Sequence, residues 1–362
     1  MFDRSKLKIR SLKERPSFVN IADSHVKPGD SPKDLSSFAE TILTETAQRV
    51  KEARKKDRAV ILAFGAHSIK NGLAPVFNHL IEKGYVTHLA TNGAGIIHDW
   101  EFAYQGTSSE DVRTNVSKGE FGIWQETGYY LNLAIIIGAY EGLGYGEAVG
   151  KFIETEKLVI PAPAVLEEEA KKYISTDPQR SAQAADLLCI LRQFNIPAGE
   201  MKVPHPFKQY SVQAAAYRKK IPFTGHPMFG HDIIYTHPLN HGASIGRCAE
   251  RDFLSYAQSV SNLEDGVYLS VGSAVMSPMI FEKSLSMAQN IAIQKGTLIT
   301  KHFIVVVDLA EGNWDWSKGE PPKDNPAYYL RFCKTFNRMG GSMRYVTADN
   351  RDFLLGLVQN LK

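Results

Sequence analysis

Uninterrupted apolar runs alternate along the chain with stretches in which apolar residues recur every three or four positions. The first pattern is clear at 60–62, where Val-Ile-Leu is typical of a strand covered on both faces. The second follows at 73–81, where the apolar spacing predicts a helix, and Gly84 stands where that helix should end. Another strand is predicted at 86–91. Together these segments predict a βαβ unit.

The same alternation returns in the second half of the chain. Further strands are predicted at 221–224, 267–271, 303–308 and 343–347. Helices are predicted at 246–260, 278–292, 328–338 and 352–359. Strands that alternate with helices indicate a mostly parallel sheet. We therefore predict an α/β fold with a doubly wound, Rossmann-like sheet of about six strands.

The remaining segments predict the domain organisation. Residues 1–57 form an N-terminal arm and a covering helix, which the apolar stripe predicts at 33–56. The polar arm is expected to wrap this chain or a neighbouring subunit. Residues 58–362 form the α/β domain, with a helical insertion at about 100–202 in which we find no strand pattern.

Composition narrows the class of protein. The chain has 362 residues, 43% of them hydrophobic, and a formal charge of +3, so its charge favours neither a nucleic-acid nor a membrane partner. Its three cysteines are far apart and form no CxxC pair. The charged N-terminus lacks the apolar core of a signal peptide, and no apolar run is long enough to span a membrane. A cytoplasmic protein is expected.

Polar turns follow both strands of the βαβ unit, at 65–68 and 91–95. Parallel strands bring such turns to one edge of the sheet, where α/β proteins bind ligands. In the second turn, Gly93 and Gly95 permit close backbone approach, and the helix that follows favours an anion such as a pyrophosphate. A plain tight turn is the alternative.

Histidines and lysines supply the candidate chemistry. Four histidines lie between His226 and His241. Their spacing matches no familiar metal site, so acid–base or hydrogen-bonding roles are favoured over metal binding. Lys70 follows the first strand and could meet a phosphate or an acidic substrate. Lys283 could form an imine if it is desolvated beside a cofactor, although a solvated helix lysine is the alternative.

The segment at 59–99 resembles the NAD-binding domain of the deoxyhypusine synthase family. The matching turns are GAHSIKNG at 65–72 and TNGAG at 91–95, and His231, within GHPMFGHDI, resembles the histidine segment of the family. Two features differ. Ile97 and His98 stand in place of the acidic pair of the family, and its lysine-bearing segment has no counterpart here. The loss of the carboxylates argues against a polyamine substrate.

The resemblance implies NAD as cofactor and a homo-oligomer. It also implies an enzyme that transiently oxidises a small substrate such as an amine, with group transfer or return of the hydride. His98 or His231 would act as acid or base and Lys283 as the imine former. The residues expected to bind NAD are His67, Ser68, Thr91, Asn92, Gly93, Gly95 and Asp308.

Two other classes of protein stay open. A non-catalytic nucleotide-binding or regulatory protein would keep the fold without the chemistry. A metal-dependent hydrolase would use the histidines at 226–241.

Overall fold

A computed structural model describes residues 2–312 and 314–362. Its central sheet has six strands: β1 (Val60–Phe64), β2 (His88–Asn92), β3 (Phe223–His226), β4 (Val267–Val271), β5 (Phe303–Asp308) and β6 (Ser342–Thr347). Every neighbouring pair is parallel, and the order across the sheet is β6-β5-β4-β1-β2-β3. The predicted doubly wound parallel sheet is confirmed.

The strand order reverses between β1 and β4. From β1 the chain adds β2 and β3 on one side, and it then returns to place β4, β5 and β6 on the other side. This is the strand order of dinucleotide-binding α/β folds, in which ligands bind outside the carboxyl ends of the strands at the point of reversal. We refer to this point as the switch point.

Both faces of the sheet are buried. Val60, Leu62 and Phe64 of β1 pack into the larger apolar core, and the alternate residues Ile61 and Ala63 pack into a second core on the opposite face. This burial explains why the β1 sequence is apolar without interruption.

Helices cover both faces and fill the insertion. They are α1 (Ile21–Ser24), α2 (Ser37–Lys55), α3 (Ala66–Lys70), α4 (Ala74–Glu82), α5 (Gly93–Gln105), α6 (Val112–Lys118), α7 (Gln125–Glu141), α8 (Tyr145–Thr155), α9 (Pro163–Tyr173), α10 (Pro178–Gln193), α11 (Val212–Lys219), α12 (Gly242–Val260), α13 (Met276–Gln294), α14 (Arg331–Asn337) and α15 (Asn350–Leu361). Among the described residues, none of these helices has both the length and the apolar character needed to cross a bilayer.

The expectation of a strand-free insertion was wrong. Lys157–Ile160 pairs antiparallel with Gly199–Lys202 in a small separate sheet. In addition, Thr107–Ser108 pairs with Val19–Asn20 of the N-terminal segment. These strands are two to four residues long. They are therefore too short to display the alternation by which a strand is recognised in a sequence.

The N-terminal segment wraps this chain, one of the two predicted arrangements. The guanidinium of Arg4 donates to the carbonyl oxygen of Tyr235 and to Asn240, at 2.9 Å in each case. Farther along the segment, Arg15 forms a buried ion pair with Glu101 of α5. The segment therefore lies against the loop after β3 and against α5.

Candidate active site

The turns after β1 and β4 touch at the switch point. A Cβ atom on Gly65, which follows β1, would lie 2.0 Å from the carbonyl oxygen of Gly272, which follows β4. Gly272 has a φ of +59°, and its own Cβ would lie 2.3 Å from Nδ2 of Asn350, after β6. Glycine alone permits both the approach and the left-handed conformation without strain. The ends of three strands therefore meet at the predicted ligand-binding edge.

The turn after β1 contains two residues predicted to bind the cofactor, and they differ in burial. Ser68 is buried and its Oγ accepts a hydrogen bond from Asn350 Nδ2 at 3.3 Å, whereas His67 is exposed. Gly65 provides no side-chain cap for α3. In the first turn the N–H of Ser68 donates to the Gly65 carbonyl at 3.1 Å, which leaves the N–H groups of Ala66 and His67 for a ligand.

Asp308 lies at the carboxyl end of β5, two strands from β1 on the same edge. It is half-buried, and its Oδ1 accepts a hydrogen bond from the backbone N–H of Ala310 at 3.0 Å. A carboxylate at a strand end can accept hydrogen bonds from the hydroxyl groups of a ligand. Asp308 is thus an acceptor on the ligand-binding edge of the sheet.

The turn after β2 packs against side chains of the protein itself. Asn92 Oδ1 caps α5 by accepting from the backbone N–H of Gly95 at 2.9 Å. A Cβ on Gly95 would lie 2.2 Å from Thr91 Oγ1, and one on Gly93 would lie 2.0 Å from Asp232 Oδ2. The close approach predicted at these glycines is thus made within the protein. The assignment of these residues to a cofactor stays a prediction.

A cavity of about 210 Å³ lies against the first turns of α5. It is lined by the N-terminal segment, α3, α5, the segment after Thr107–Ser108 and the loop after β3. It brings together His98 and His231, the two residues predicted as acid–base groups. The ionisable residues that line it are Arg15, Lys70, His98, Glu101, Glu110, His231 and Asp232.

A buried chain of hydrogen bonds sets the tautomer of His98. Arg15 donates two hydrogen bonds of 2.8 Å to the carboxylate of Glu101. Ser108 Oγ lies 2.6 Å from Glu101 Oε2 and 2.7 Å from His98 Nδ1. Because an ionised carboxylate only accepts, Ser108 donates its single hydrogen to Glu101 and must accept from His98. Nδ1 of His98 therefore carries the proton, and Nε2 carries the lone pair.

The surroundings of this hydrogen-bond network keep Glu101 ionised and His98 neutral. Burial acts to raise the pKa of Glu101, but the Arg15 guanidinium outweighs it and the net shift is downward. Burial lowers the pKa of His98; the Glu101 carboxylate opposes this, and the charge of Lys70 lowers the pKa further. His98 is therefore neutral at neutral pH, with Nε2 able to accept a proton.

Four ionisable residues of this cavity were not selected from the sequence: Arg15, Glu101, Glu110 and Asp232. Asp232 stands apart from the other three because of its position. Its carboxylate lies against Gly93, at the positive end of the α5 dipole. Within the described residues, its Oδ2 is buried without a hydrogen-bond partner. Burial raises the pKa of Asp232 to about 6. Its place next to His231 was the available signal, but nothing in the loop sequence shows that the loop folds back onto α5.

The histidines at 226–241 do not converge. His226 ends β3 and bonds Thr224 within the core, His237 packs beside α7, and His241 caps α12, while His231 reaches the cavity. Across 2–312 and 314–362, no group of three or more His, Cys, Asp or Glu residues is placed to hold a metal.

Lys283 does not reach this cavity. It lies on the exposed face of α13, and its ammonium pairs with the adjacent Glu282. The desolvation that an imine-forming lysine requires is absent here. Its predicted catalytic role stays a prediction that this placement does not support.

Comparison with solved structures gives matches of low identity. A variant of AgrE in a binary complex with L-arginine is 16% identical; the match covers 91% of this chain and 34% of AgrE, with a TM-score of 0.46. A candidate LOR/SDH protein from Methanococcus maripaludis S2 is 13% identical, over 92% of this chain and 72% of that one, with a TM-score of 0.43. A candidate deoxyhypusine synthase from Entamoeba histolytica is 12% identical, over 88% of both chains, with a TM-score of 0.39.

This chain therefore spans about a third of the length of AgrE. No protein-family model matches the chain, and no curated protein sequence matches it. At these identities and TM-scores we rest nothing on the likenesses. The proposals below rest on the chain's own strand order and side chains.

Proposed function

We propose that this chain is an NAD-dependent enzyme that oxidises a small substrate in the cavity beside the switch point. The observation that carries the proposal is the fixed tautomer of His98, a residue that lines a cavity at the ligand-binding edge of the sheet. A base in that position is what oxidation of an amine or alcohol requires, since a proton must leave the substrate together with the hydride.

The dinucleotide would be held at the switch point. The backbone N–H groups of Ala66 and His67 would donate to its phosphates, and Asp308 would accept hydrogen bonds from a ribose. Bound NAD would supply the hydride acceptor. The start of α5 is the less available place for a phosphate, because Asn92 caps it and Asp232 lies against it.

His98 would accept the substrate proton at Nε2. The imidazolium so formed donates through Nδ1 to Ser108, whose hydroxyl donates to the Glu101 carboxylate, so the negative charge of Glu101 stabilises the new positive charge. Arg15 keeps Glu101 ionised and, with the N-terminal segment, separates this network from water. Ser108 and Glu101 act here as positioning residues. The group-transfer step and the homo-oligomer rest on the family resemblance alone.

The test is reduction of NAD by the purified protein with a panel of small amines, alcohols and amino acids, followed by absorbance. His98→Gln should lower turnover at least a hundredfold, because it removes the base. Ser108→Ala should flatten the pH profile, because the tautomer is no longer set; nitrogen NMR of His98 should show both tautomers. His79→Gln, on α4, is the matched control and should change neither. Full turnover by His98→Gln would overturn the assignment.

A non-catalytic nucleotide-binding protein is the second candidate. The exposure of Lys283 favours it, because the cavity then holds no imine-forming lysine from that helix. Nucleotide binding without turnover of any panel member, equally in the parent protein and in His98→Gln, would select this alternative.

A further inference from the structure

We infer that the substrate of this cavity is a small amino acid, bound as a zwitterion between Lys70 and Asp232. The inference rests on the proposed function and deepens it, because it names the substrate class of the same cavity. It follows from which charges of the lining are already neutralised by the protein and which are not.

One pair of charges in the lining is neutralised within the protein. Arg15 and Glu101 bind each other through two hydrogen bonds, and both side chains are 1% exposed. Breaking such a buried pair leaves an uncompensated charge, so neither member is available to a ligand.

Glu110 is also satisfied. Its carboxylate accepts hydrogen bonds from Asn115 Nδ2 at 2.6 Å, from the backbone N–H of Gly122 at 3.2 Å and from Trp124 Nε1 at 2.9 Å. These three donors are uncharged, so they tie the carboxylate to the insertion and leave its negative charge in the wall of the cavity.

Among the charged groups of the lining, the described residues give no partner to the side chains of Lys70 and Asp232. The ammonium of Lys70 makes no ion pair there, and Asp232 Oδ2 is buried without a hydrogen bond. A buried acceptor without a partner costs free energy unless a ligand satisfies it. A ligand with one carboxylate and one ammonium would satisfy both groups and add no net charge to the cavity.

The proposed base belongs to the same cavity as the two charged groups. The base His98 lies in the same lining, so the amine held by Asp232 would be within the chamber where its proton is to be accepted.

The test is calorimetric binding to the full chain, with and without added NAD. The probes are norvaline, γ-aminobutyrate, butylamine and butyrate. We expect at least one of the two zwitterions to bind about tenfold or more tightly than both single-charge compounds, since each charged hydrogen bond contributes this much. Equal affinity for butylamine or butyrate, or no binding by either zwitterion in both conditions, would overturn the inference.

Charge-removing variants locate the binding groups. Lys70→Gln should weaken zwitterion binding about tenfold and leave butylamine unchanged, whereas Asp232→Asn should weaken the zwitterion and leave butyrate unchanged. Lys55→Gln and Asp57→Asn, at exposed positions around the end of α2, are the matched controls and should have no effect. Zwitterion binding that survives both Lys70→Gln and Asp232→Asn would contradict this placement.

The test of the amino-acid site can fail or succeed independently of the test of the proposed function. Zwitterion binding without any binding of NAD would retain the amino-acid site and remove the oxidation. NAD binding without selectivity for zwitterions would retain the nucleotide site and remove the amino-acid substrate.

Discussion

Individual buried side chains decide which protonation states this protein can use. His98 is neutral, and its tautomer is fixed because Ser108 donates its only hydrogen to Glu101. His205 is neutral for a simpler reason: it is 1% exposed and packs edge-on against the rings of Trp100 and Phe152. Burial lowers the pKa of His205 to about 4.

His205 should therefore make the fold sensitive to acid. An unfolded histidine titrates near 6.5, so below that pH the unfolded chain binds the proton first and stability falls as the pH drops towards 4. By pH 5 the loss from this residue should be about 2 kcal/mol. In His205→Phe, the decrease in unfolding free energy between pH 7 and pH 5, measured by urea titration, should be smaller by about that amount. An equal decrease in both proteins would contradict this account.

At the residue scale, the sequence predicted the chemistry in part. His98 and His231 were selected because they follow strands, and the structure places both in one cavity. Asp232 was missed because its role depends on a loop folding back onto Gly93, which no local pattern encodes. Lys283 was selected by its place on a helix, but which face of that helix is exposed depends on how α12 and the sheet pack against it.

At the scale of elements, the N-terminal segment is held by one buried ion pair. Arg15 crosses from the segment to Glu101 of α5, and Glu101 in turn orders Ser108. Arg10, on the same segment, pairs with Glu14 and with Glu120, and these pairs are partly exposed to solvent. The two arginines differ mainly in burial.

Arg15→Met should destabilise the protein by about 3–5 kcal/mol, because it leaves the Glu101 carboxylate buried without its cation. Adding Glu101→Gln should recover part of the loss. Arg10→Met is the matched control and should have a far smaller effect, because both of its ion pairs are partly exposed to solvent. Urea unfolding measures all three. If Arg15→Met cost no more than Arg10→Met, the ion pair would not anchor the segment.

Strong strands were predictable as elements and weak ones were not. β4 and β5 have the predicted bounds because long apolar runs between turns have few alternative structures. β3 begins two residues later than predicted and ends at His226, because hydrogen bonding with β2 continues past the last apolar residue. The short strands of the insertion were missed because tertiary pairing creates them.

At the scale of the whole molecule, the alternation of strands and helices predicted a doubly wound sheet but could not give the order of its strands. That order depends on where the chain turns back after the insertion, and no residue pattern records the reversal. The structure places the reversal between β1 and β4. Our proposal therefore places the phosphates at the switch point and not at the start of α5, which the sequence favoured.

The measurement that tests the central claim most directly is mass spectrometry of small molecules released when the purified, undialysed protein is denatured. We predict NAD or its reduced form at about one molecule per chain, which corresponds to one switch point per sheet. Ala274→Glu, in the turn after β4, should abolish retention by placing a carboxylate at the phosphate position. Ser286→Glu, on the exposed face of α13, should retain it. Release of no nucleotide, together with no change in melting temperature on adding NAD, would contradict the account.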